Sequence, residues 1–454
     1  MGADAHVVRS HDAGSAMEAS VSPALPAARR GSSMTLDMVG SRILVIANDI
    51  RARIARGEQV CNLTVGDFAP SQFRIPEMLA HGIADAVGKG ETNYPPANGL
   101  LALRESIRAF YRDRLGLDYP LASVLVASGA RPGIYAAFRT VVDAGDRVVF
   151  GVPCWSVDNY CQLVNAERVA VECKPDTGFL PTPDALAPLL RGARLLALNS
   201  PLNPSGTAFD ADTLGAIADL VLEENARRAR AAQGERPLYV LYDQVYWLLT
   251  FGGTTHVNPV SLRPELAPFT LFADAISKPF ASTGLRVGWL VGPEDIIALA
   301  SDFLGHVGAW APRAEQVAAA SFLNSAPSVD AYVAEMRRGV QSRLEALQRH
   351  FAAMRASGLP VETVPARGAI YLSARVALSG RHTPDGMLLR TDEDVRSYLL
   401  RAAGFAVVPF QAFGVTHDCG WFRLSVGAVS VAEIEAAMPR VRAAIEATST
   451  GKAR

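Results

Sequence analysis

The chain has 454 residues, 49% of them hydrophobic and 20% charged, with a formal net charge of −1. A chain of this length and balance buries a full core without disulfide or metal staples, which excludes bulk disorder and fibrous repeats. Near-neutral charge argues against nucleic-acid or anionic-membrane partners, and no apolar run reaches the roughly 18 residues of a membrane span.

Residues 1–33 are rich in Ala, Ser, Gly and His, show no hydrophobic period and read as a disordered tail, or as an extension upstream of a start near Met34. Arg29-Arg30 is not followed by an apolar stretch, so no secretory or twin-arginine signal is expected. From 35 to 56 Leu36, Val39, Ile43, Leu44, Ile46, Ile50 and Ile54 recur at helical spacing. Residues 34–70 are expected to form an N-terminal arm and helix packing with a small C-terminal domain. After residue 98 helical and strand patterns alternate. Helices are expected over 100–114, 131–142, 155–165 and 211–230. Strands are expected at 124–127, 147–150, 168–172, 195–198, 238–242, 269–275 and 286–291. Short apolar runs between amphipathic helices specify a largely parallel sheet covered on both faces, here a large domain over 71–325. A long helix over 329–357 changes the rhythm. Strands at 369–374, 405–408 and 421–426 and helices at 392–403 and 431–447 then read as a smaller α+β domain over 326–454, Pro439 being a candidate kink.

The five cysteines (Cys61, Cys154, Cys161, Cys173, Cys419) are odd in number and scattered, with no C-x-x-C pair. They fit neither a disulfide framework nor a metal site, and read as reduced thiols of a cytoplasmic protein. Of 44 basic residues only Lys89, Lys174, Lys278 and Lys452 are lysines, so lysine chemistry has few candidates.

Lys278 stands in Ile-Ser-Lys-Pro-Phe-Ala-Ser-Thr-Gly-Leu-Arg-Val-Gly-Trp, directly after an apolar strand, where ligands gather in α/β sheets. Burial there lowers an ammonium's pKa and suits it to Schiff-base chemistry; the plain alternative is a lysine whose head reaches solvent. Asp243 also follows a strand and can neutralise a protonated ring nitrogen, or simply cap a helix. Tyr246 points the same way if a helical turn begins at Asp243. Asn203 lies in the strand-terminal loop Asn-Ser-Pro-Leu-Asn-Pro-Ser-Gly, which by itself is a turn signal. Ser128-Gly129-Ala130-Arg131 links a strand to a helix whose N-terminal amides favour an anion, and Arg131 and Arg286 can add charge to it. Trp155 can lie against a planar ring or fill core. Arg423, within an apolar strand, needs an anion or solvent.

In order and spacing these segments resemble the class I/II aminotransferases of the pyridoxal 5′-phosphate fold type I superfamily, from about Cys61 to the C-terminal helix. The resemblance rests on Tyr94-Pro-Pro-Ala-Asn-Gly99, the Gly129 loop, Trp155, Asn-Pro-Ser-Gly, Asp243-Gln-Val-Tyr246, Ser277-Lys278 with Thr-Gly-Leu-Arg286-Val-Gly, and Phe-Arg423-Leu-Ser. It implies an α/β fold: a mostly parallel seven-stranded sheet sandwiched by helices, plus the smaller α+β domain. It implies that Lys278 holds the cofactor as a Schiff base and shuttles a proton, that Asp243 keeps the pyridine nitrogen protonated, and that Asn203 and Tyr246 bond the ring oxygen. Trp155 would stack on the ring, with Gly129, Ala130, Arg131, Ser277 and Arg286 around the phosphate. Tyr94 would reach that phosphate from the other subunit of a homodimer. Arg423, helped by Gly66 and Asn203, would bind the substrate carboxylate. The implied reaction moves the amino group of an L-amino acid to a 2-oxo acid by a ping-pong mechanism.

A lyase, decarboxylase or oxidase on the same scaffold is the alternative, and no residue decides between them. A regulator fused to a DNA-binding domain is not expected, because such a domain needs more than the short, periodless tail before Thr35. Four positions depart from the family's habit: Ala275 where a hydroxyl is usual, Arg131-Pro132 in the phosphate loop, Gln244 where Glu is common, and Pro279 after the lysine. An acidic substrate requires a further cation that the sequence does not single out, and Phe68, Phe73, Trp310 and Phe410 are candidates for an apolar side-chain pocket.

Overall fold

The computed structural model describes residues 31–36, 42–231 and 234–451. The tail expected over 1–33 lies outside these residues up to position 30. Residues 1–39 form one compact unit, described only by the short helix Ser33–Leu36, and residues 40–454 form a second. The helix expected over 35–56 is found as Ser33–Leu36 and Arg42–Ala55, with 37–41 outside the described residues.

Within the second unit the strands run β1 (Cys61–Asn62), β2 (Val124–Ala127), β3 (Arg147–Val152), β4 (Glu167–Glu172), β5 (Ala193–Asn199), β6 (Tyr239–Asp243), β7 (Thr270–Ala275), β8 (Gly288–Val291), β9 (Val361–Val364), β10 (Tyr371–Val376), β11 (Phe405–Ala406), β12 (Val408–Pro409) and β13 (Trp421–Ser425). Seven of them form one sheet in the order β2-β8-β7-β6-β5-β3-β4, parallel except for β8, which runs against both neighbours. Every residue of β2, β7 and β8 is buried, as expected for strands covered on both faces. The edge strand β4 is mostly exposed and carries Glu167, Arg168 and Glu172, which discourages pairing with another chain. A four-stranded antiparallel sheet, β12-β13-β10-β9, follows the long helix Ala326–Ala356. The strand expected over 405–408 divides: β11 pairs with β1, and β12 pairs with β13.

Four helices and two strands carried too little contrast to be read from sequence. Glu77–Gly88, Pro183–Leu190, Glu294–Val307 and Arg313–Leu323 are helical. The last is alanine-rich, so its buried Ala318, Ala319 and Ala320 give no apolar stripe. Pro188 disguises Pro183–Leu190, and β1 and β9 are too short for a period of two to show. Helix Val431–Glu446 runs through Pro439. Ile46 and Ile50 of the arm helix are buried in a cluster that holds both Leu103 and Ile107 and the C-terminal Leu400, Ala406 and Val408.

The Asn-Pro-Ser-Gly turn joins the two sheets. The Gly206 carbonyl accepts from the Arg367 and Gly368 amides at 2.7 and 2.9 Å. Gly206 has φ +75°, and a Cβ there would fall 2.1 Å from the Tyr371 carbonyl oxygen. Gly206→Ala is therefore expected to lower unfolding stability by about 2 kcal/mol or more. Gly215, inside helix Ala211–Ala229 with no atom nearer than 3.7 Å to its added Cβ, is expected to gain about 0.5–1 kcal/mol on change to Ala. Urea melts of the two variants check both signs.

Candidate active site

Parallel strands bring their carboxyl ends to one edge of the sheet, and the chemistry-bearing side chains lie there. Lys278 follows the end of β7 by three residues, and its Nζ donates to the Gly66 carbonyl at 2.5 Å. It lies 6.0 Å from the centre of the Tyr246 ring. Burial brings its pKa down to about 8, Asp67 and Asp243 resisting and Arg423 and Arg286 assisting. Asp243 closes β6 and is displaced the other way. Burial raises it to about 6, against the Val245 amide, which donates at 3.2 Å, and against Lys278. Near pH 7 both groups are therefore mostly charged, each favouring the other's ionised form.

The turn after β5 is tied to β6. The Asn199 side-chain amide and the Ser200 N–H donate to the Asp243 carbonyl at 2.8 and 3.0 Å. The Asn199 side-chain oxygen accepts from the Asn203 N–H at 2.8 Å. Asn203 turns its Oδ1 to Arg423 Nη1, 3.2 Å away.

Arg423 arrives from β13, between β12 and β10, and is 2% exposed. Its Nη2 donates to the Thr64 carbonyl at 2.5 Å, and the rings of Tyr371 and Phe413 each lie 4.8 Å from the guanidinium carbon. Its Nε has no partner. No acidic side chain among the described residues forms an ion pair with Arg423, Arg286 or Arg131. Two hydrogen bonds and two cation–π contacts offset only part of the several kcal/mol that burying a lone charge costs.

Arg286 has φ +56° and donates to the Thr283 and Ser128 carbonyls at 2.7 and 2.9 Å. A Cβ on Gly129, whose φ is +86°, would come within 2.2 Å of Arg286 Nη2. Glycine there keeps a guanidinium beside the N-terminus of helix Ala130–Val141, the arrangement that receives a phosphate or carboxylate. The Arg131 guanidinium lies over Trp155, 4.6 Å from its centre. Trp155, Tyr160, Asn199 and Asp243 line one pocket with the apolar Phe179 and Leu202. The arrangement suits a planar ring with an anionic arm at one end and a carboxylate-bearing partner at the other.

Tyr94 is 81% exposed, and its ring packs edge-on against Trp310 at 5.2 Å. Ser277 is buried, and its carbonyl accepts from Ser282 N–H at 3.0 Å. Phe68 and Phe73 pack on each other at 5.4 Å, with Arg343 over Phe73, in the core of the C-terminal part. Phe410 packs with Phe179 and Trp421. The structure adds residues that sequence reading passed over. Tyr371 is wholly buried with its hydroxyl 2.6 Å from that of Tyr246, and Asp67 accepts from Thr283 Oγ1 at 2.5 Å. Tyr371 looks like any inward strand residue, and only the pairing of the two sheets reveals its neighbours.

The sequence matches the family model described as aminotransferase class I and II over residues 58–441. It is 30% identical over 412 residues to an aspartate aminotransferase of Rhizobium meliloti (strain 1021), spanning 90% of this chain and 94% of that one. It is 31% identical over 428 residues to an aspartate aminotransferase of Geobacillus stearothermophilus, spanning 92% and 99%. The crystal structure of an aspartate aminotransferase from Rhizobium meliloti superposes with a TM-score of 0.83 at 28% identity, covering 92% of this chain and 99% of that one.

The opposed shifts are measurable in the unloaded protein. Treated with a small aldehyde and a hydride donor, Lys278 is expected to be alkylated with a midpoint near pH 8. The exposed Lys89, raised by its 2.7 Å bond to Asp85, should react only at much higher pH. Peptide mass spectrometry reads both sites at once, and coincident midpoints would refute the burial argument.

Proposed function

The chain belongs to the class I and II aminotransferases and is an enzyme of amino-group transfer, and from that premise we propose that its own cleft holds pyridoxal 5′-phosphate and exchanges amino groups between an L-amino acid and a 2-oxo acid in a ping-pong cycle. Members of the family depend on this cofactor. The residues fit it on three counts: a lysine whose amine is easily freed, a buried carboxylate raised toward neutrality, and an anion cradle at Gly129 and Arg286. When bound, the cofactor supplies an electron-accepting ring that stabilises negative charge at the substrate α-carbon.

Every remaining step belongs to side chains of this protein. Lys278 anchors the cofactor aldehyde and, once its amine is free, takes and returns the α-carbon proton. Asp243 holds a proton on the ring nitrogen. Trp155 covers one face of the ring, and Asn203 Nδ2 and the Tyr246 hydroxyl donate to its oxygen. Gly129, the Ala130 and Arg131 amides, Ser277 and Arg286 surround the phosphate. Arg423 grips the substrate α-carboxylate beside Gly66, where Tyr371 and Phe413 keep water away from the guanidinium faces.

The Arg131 side chain is left for the far end of the substrate. It rests on Trp155 without an acidic partner among the described residues. The relatives named above are aspartate aminotransferases, and a second carboxylate on the substrate would give Arg131 its counter-charge. Exposed Tyr94 belongs to a homodimer contact and reaches the partner's phosphate. Among the described residues no helix is long and apolar enough to cross a membrane, and free thiols at all five cysteines suit a reducing cytoplasm. The observation that carries the whole reading is the set of guanidinium groups left unpaired around a lysine that readily sheds its proton.

Adding L-aspartate to the cofactor-loaded protein is expected to bleach its visible absorption with release of one equivalent of 2-oxo acid. Ammonia or carbon dioxide in place of that oxo acid would overturn the reading. Lys278→Ala should slow bleaching by about 10²–10⁴-fold or more. Arg131→Ala should lower kcat/KM for aspartate by roughly 10–100-fold, the worth of one charge-assisted hydrogen bond, while sparing alanine. Equal losses on both amino acids would remove Arg131 from side-chain recognition.

A further inference from the structure

A second buried carboxylate lies behind the cleft. Asp243 is in register with Ala273 on β7, so Asp274, the next residue, projects from the opposite face of the sheet. It is 1% exposed. Its Oδ2 accepts from the Trp247 indole at 2.9 Å and from the Tyr111 hydroxyl at 3.1 Å, and its Oδ1 from the Ala275 N–H at 2.7 Å. Tyr111 receives the Trp289 indole at 3.1 Å and the Gln244 side-chain amide at 3.2 Å. Gln244 Oε1 in turn faces His256 Nε2 at 3.2 Å.

The proton on each link is fixed by chemistry. Indoles only donate. Two donors occupy the Tyr111 lone pairs, so its own proton points to Asp274. Gln244 presents its amide to Tyr111 because its oxygen is taken by His256, which burial keeps neutral, its pKa lowered to about 3. Burial raises the Asp274 carboxyl to about 8, and Asp243 adds to the rise, whereas the Ala275, Trp247 and Tyr111 donors resist it and favour the ionised form. A carboxylic proton on either oxygen would face an N–H or O–H donor, with no acceptor. No cation pairs with Asp274 among the described residues.

We propose that Asp274 is a positioning residue: through Tyr111 it ties together β6, β7 and β8, beside whose ends stand Asp243, Lys278 and Arg286, and in its ionised form, which the surrounding donors favour, it strengthens the hold of the site on protons of the bound cofactor. The second half rests on the cofactor reading above; the first does not. Tyr111 is flanked by one acid and one amide, and exchanging them keeps its bonds to both with the shared proton reversed, at the cost of the Trp247 indole bond, which an amide N–H at 274 cannot accept. The negative charge is thus required once, at either 274 or 244.

The experiment is a cycle of four proteins: the parent, Asp274→Asn, Gln244→Glu and the double exchange. Urea midpoints are measured without cofactor, and the pH midpoint of the visible band is measured with pyridoxal 5′-phosphate bound. Facing Asp274 are Tyr111 of helix Leu101–Leu115 and Trp247, with Asp243 of β6 the neighbouring charge; Asp243, and His256 beside Gln244, are unchanged throughout. Asp274→Asn is expected to lower the band's midpoint by about one pH unit, a tenfold loss of proton affinity. Each single variant should unfold at lower urea than the parent. The double exchange should recover part of both losses, the share that runs through Tyr111, and adding Tyr111→Phe should cancel that recovery. An unmoved band in Asp274→Asn, or a double variant no better than its two parents combined, overturns the proposal. If Asp274→Asn fails to fold, a folded double variant supports it and an unfolded one overturns it. Absence of any band in the parent would defeat the cofactor reading alone, because the urea cycle still decides the positioning claim.

Discussion

Charge held in the interior without a protein partner is the constraint on which the rest of the structure depends. Arg423 is buried on every side and finds only a carbonyl, an amide oxygen and two aromatic faces. Lys278 and Asp243 are each held against their preference in water. The sign of each effect on stability follows. Lys278, lowered on folding, destabilises the folded protein below about pH 8, and the effect fades as pH rises toward 10.5. Asp243, raised on folding, destabilises it above about pH 6, and the effect fades as pH falls toward 3.8. Near neutrality both effects operate together. A fold that tolerates this is one whose ligand brings the missing counter-charges, and ligand binding then stabilises the folded state by mass action.

Topology is what gathers these groups. β5, β6 and β7 run parallel, so Asn199, Asp243 and the loop to Lys278 meet at one edge although long stretches of chain separate them. The antiparallel β8 returns Gly288 to that edge, against Gly129 and Ala130, and so sets Arg286 beside the helix N-terminus. The half that carries Arg423 comes from the other sheet, where β10 and β13 pair Ser373 with Arg423. Gly206 is where the halves meet, with the backbone of one sheet pressed on the turn of the other. A ligand that met both Lys278 and Arg423 would touch both halves, so its recognition and the packing of the two sheets would be one problem.

The alternation of apolar runs and helices made the large sheet legible, because buried parallel strands are short, continuous and bounded by turns. Asp392–Ala403 was legible to the residue, its start marked by Thr391 and Asp394 in a capping box. Helices without contrast, such as the alanine-rich Arg313–Leu323, were not. Lys278, Asp243, Asn203 and Arg423 could be named because each is polar at a position where a strand ends or should be apolar. Tyr371, Thr64 and Phe413 could not, since nothing in a one-dimensional pattern says that a strand tyrosine will meet another tyrosine from a distant turn. The Asp274 network was hidden for the same reason, although Gln244 was visible as an oddity. Its meaning required knowing that Tyr111 lies between the two.

Composition also divides the labour of the site. Arginine cannot shed its proton within the range where a protein is folded, so a buried arginine remains a cation and must be met by an anion. Lysine can shed its proton, and burial makes it do so more readily. In a chain with only four lysines, the single one at the sheet edge stands among guanidinium groups that cannot take its role. Arg131, Arg286 and Arg423 are therefore suited to hold anions in place, and Lys278 is suited to give up and recover a proton. The same electrostatic crowding serves both tasks: the fixed cations that bind also help lower the amine that reacts.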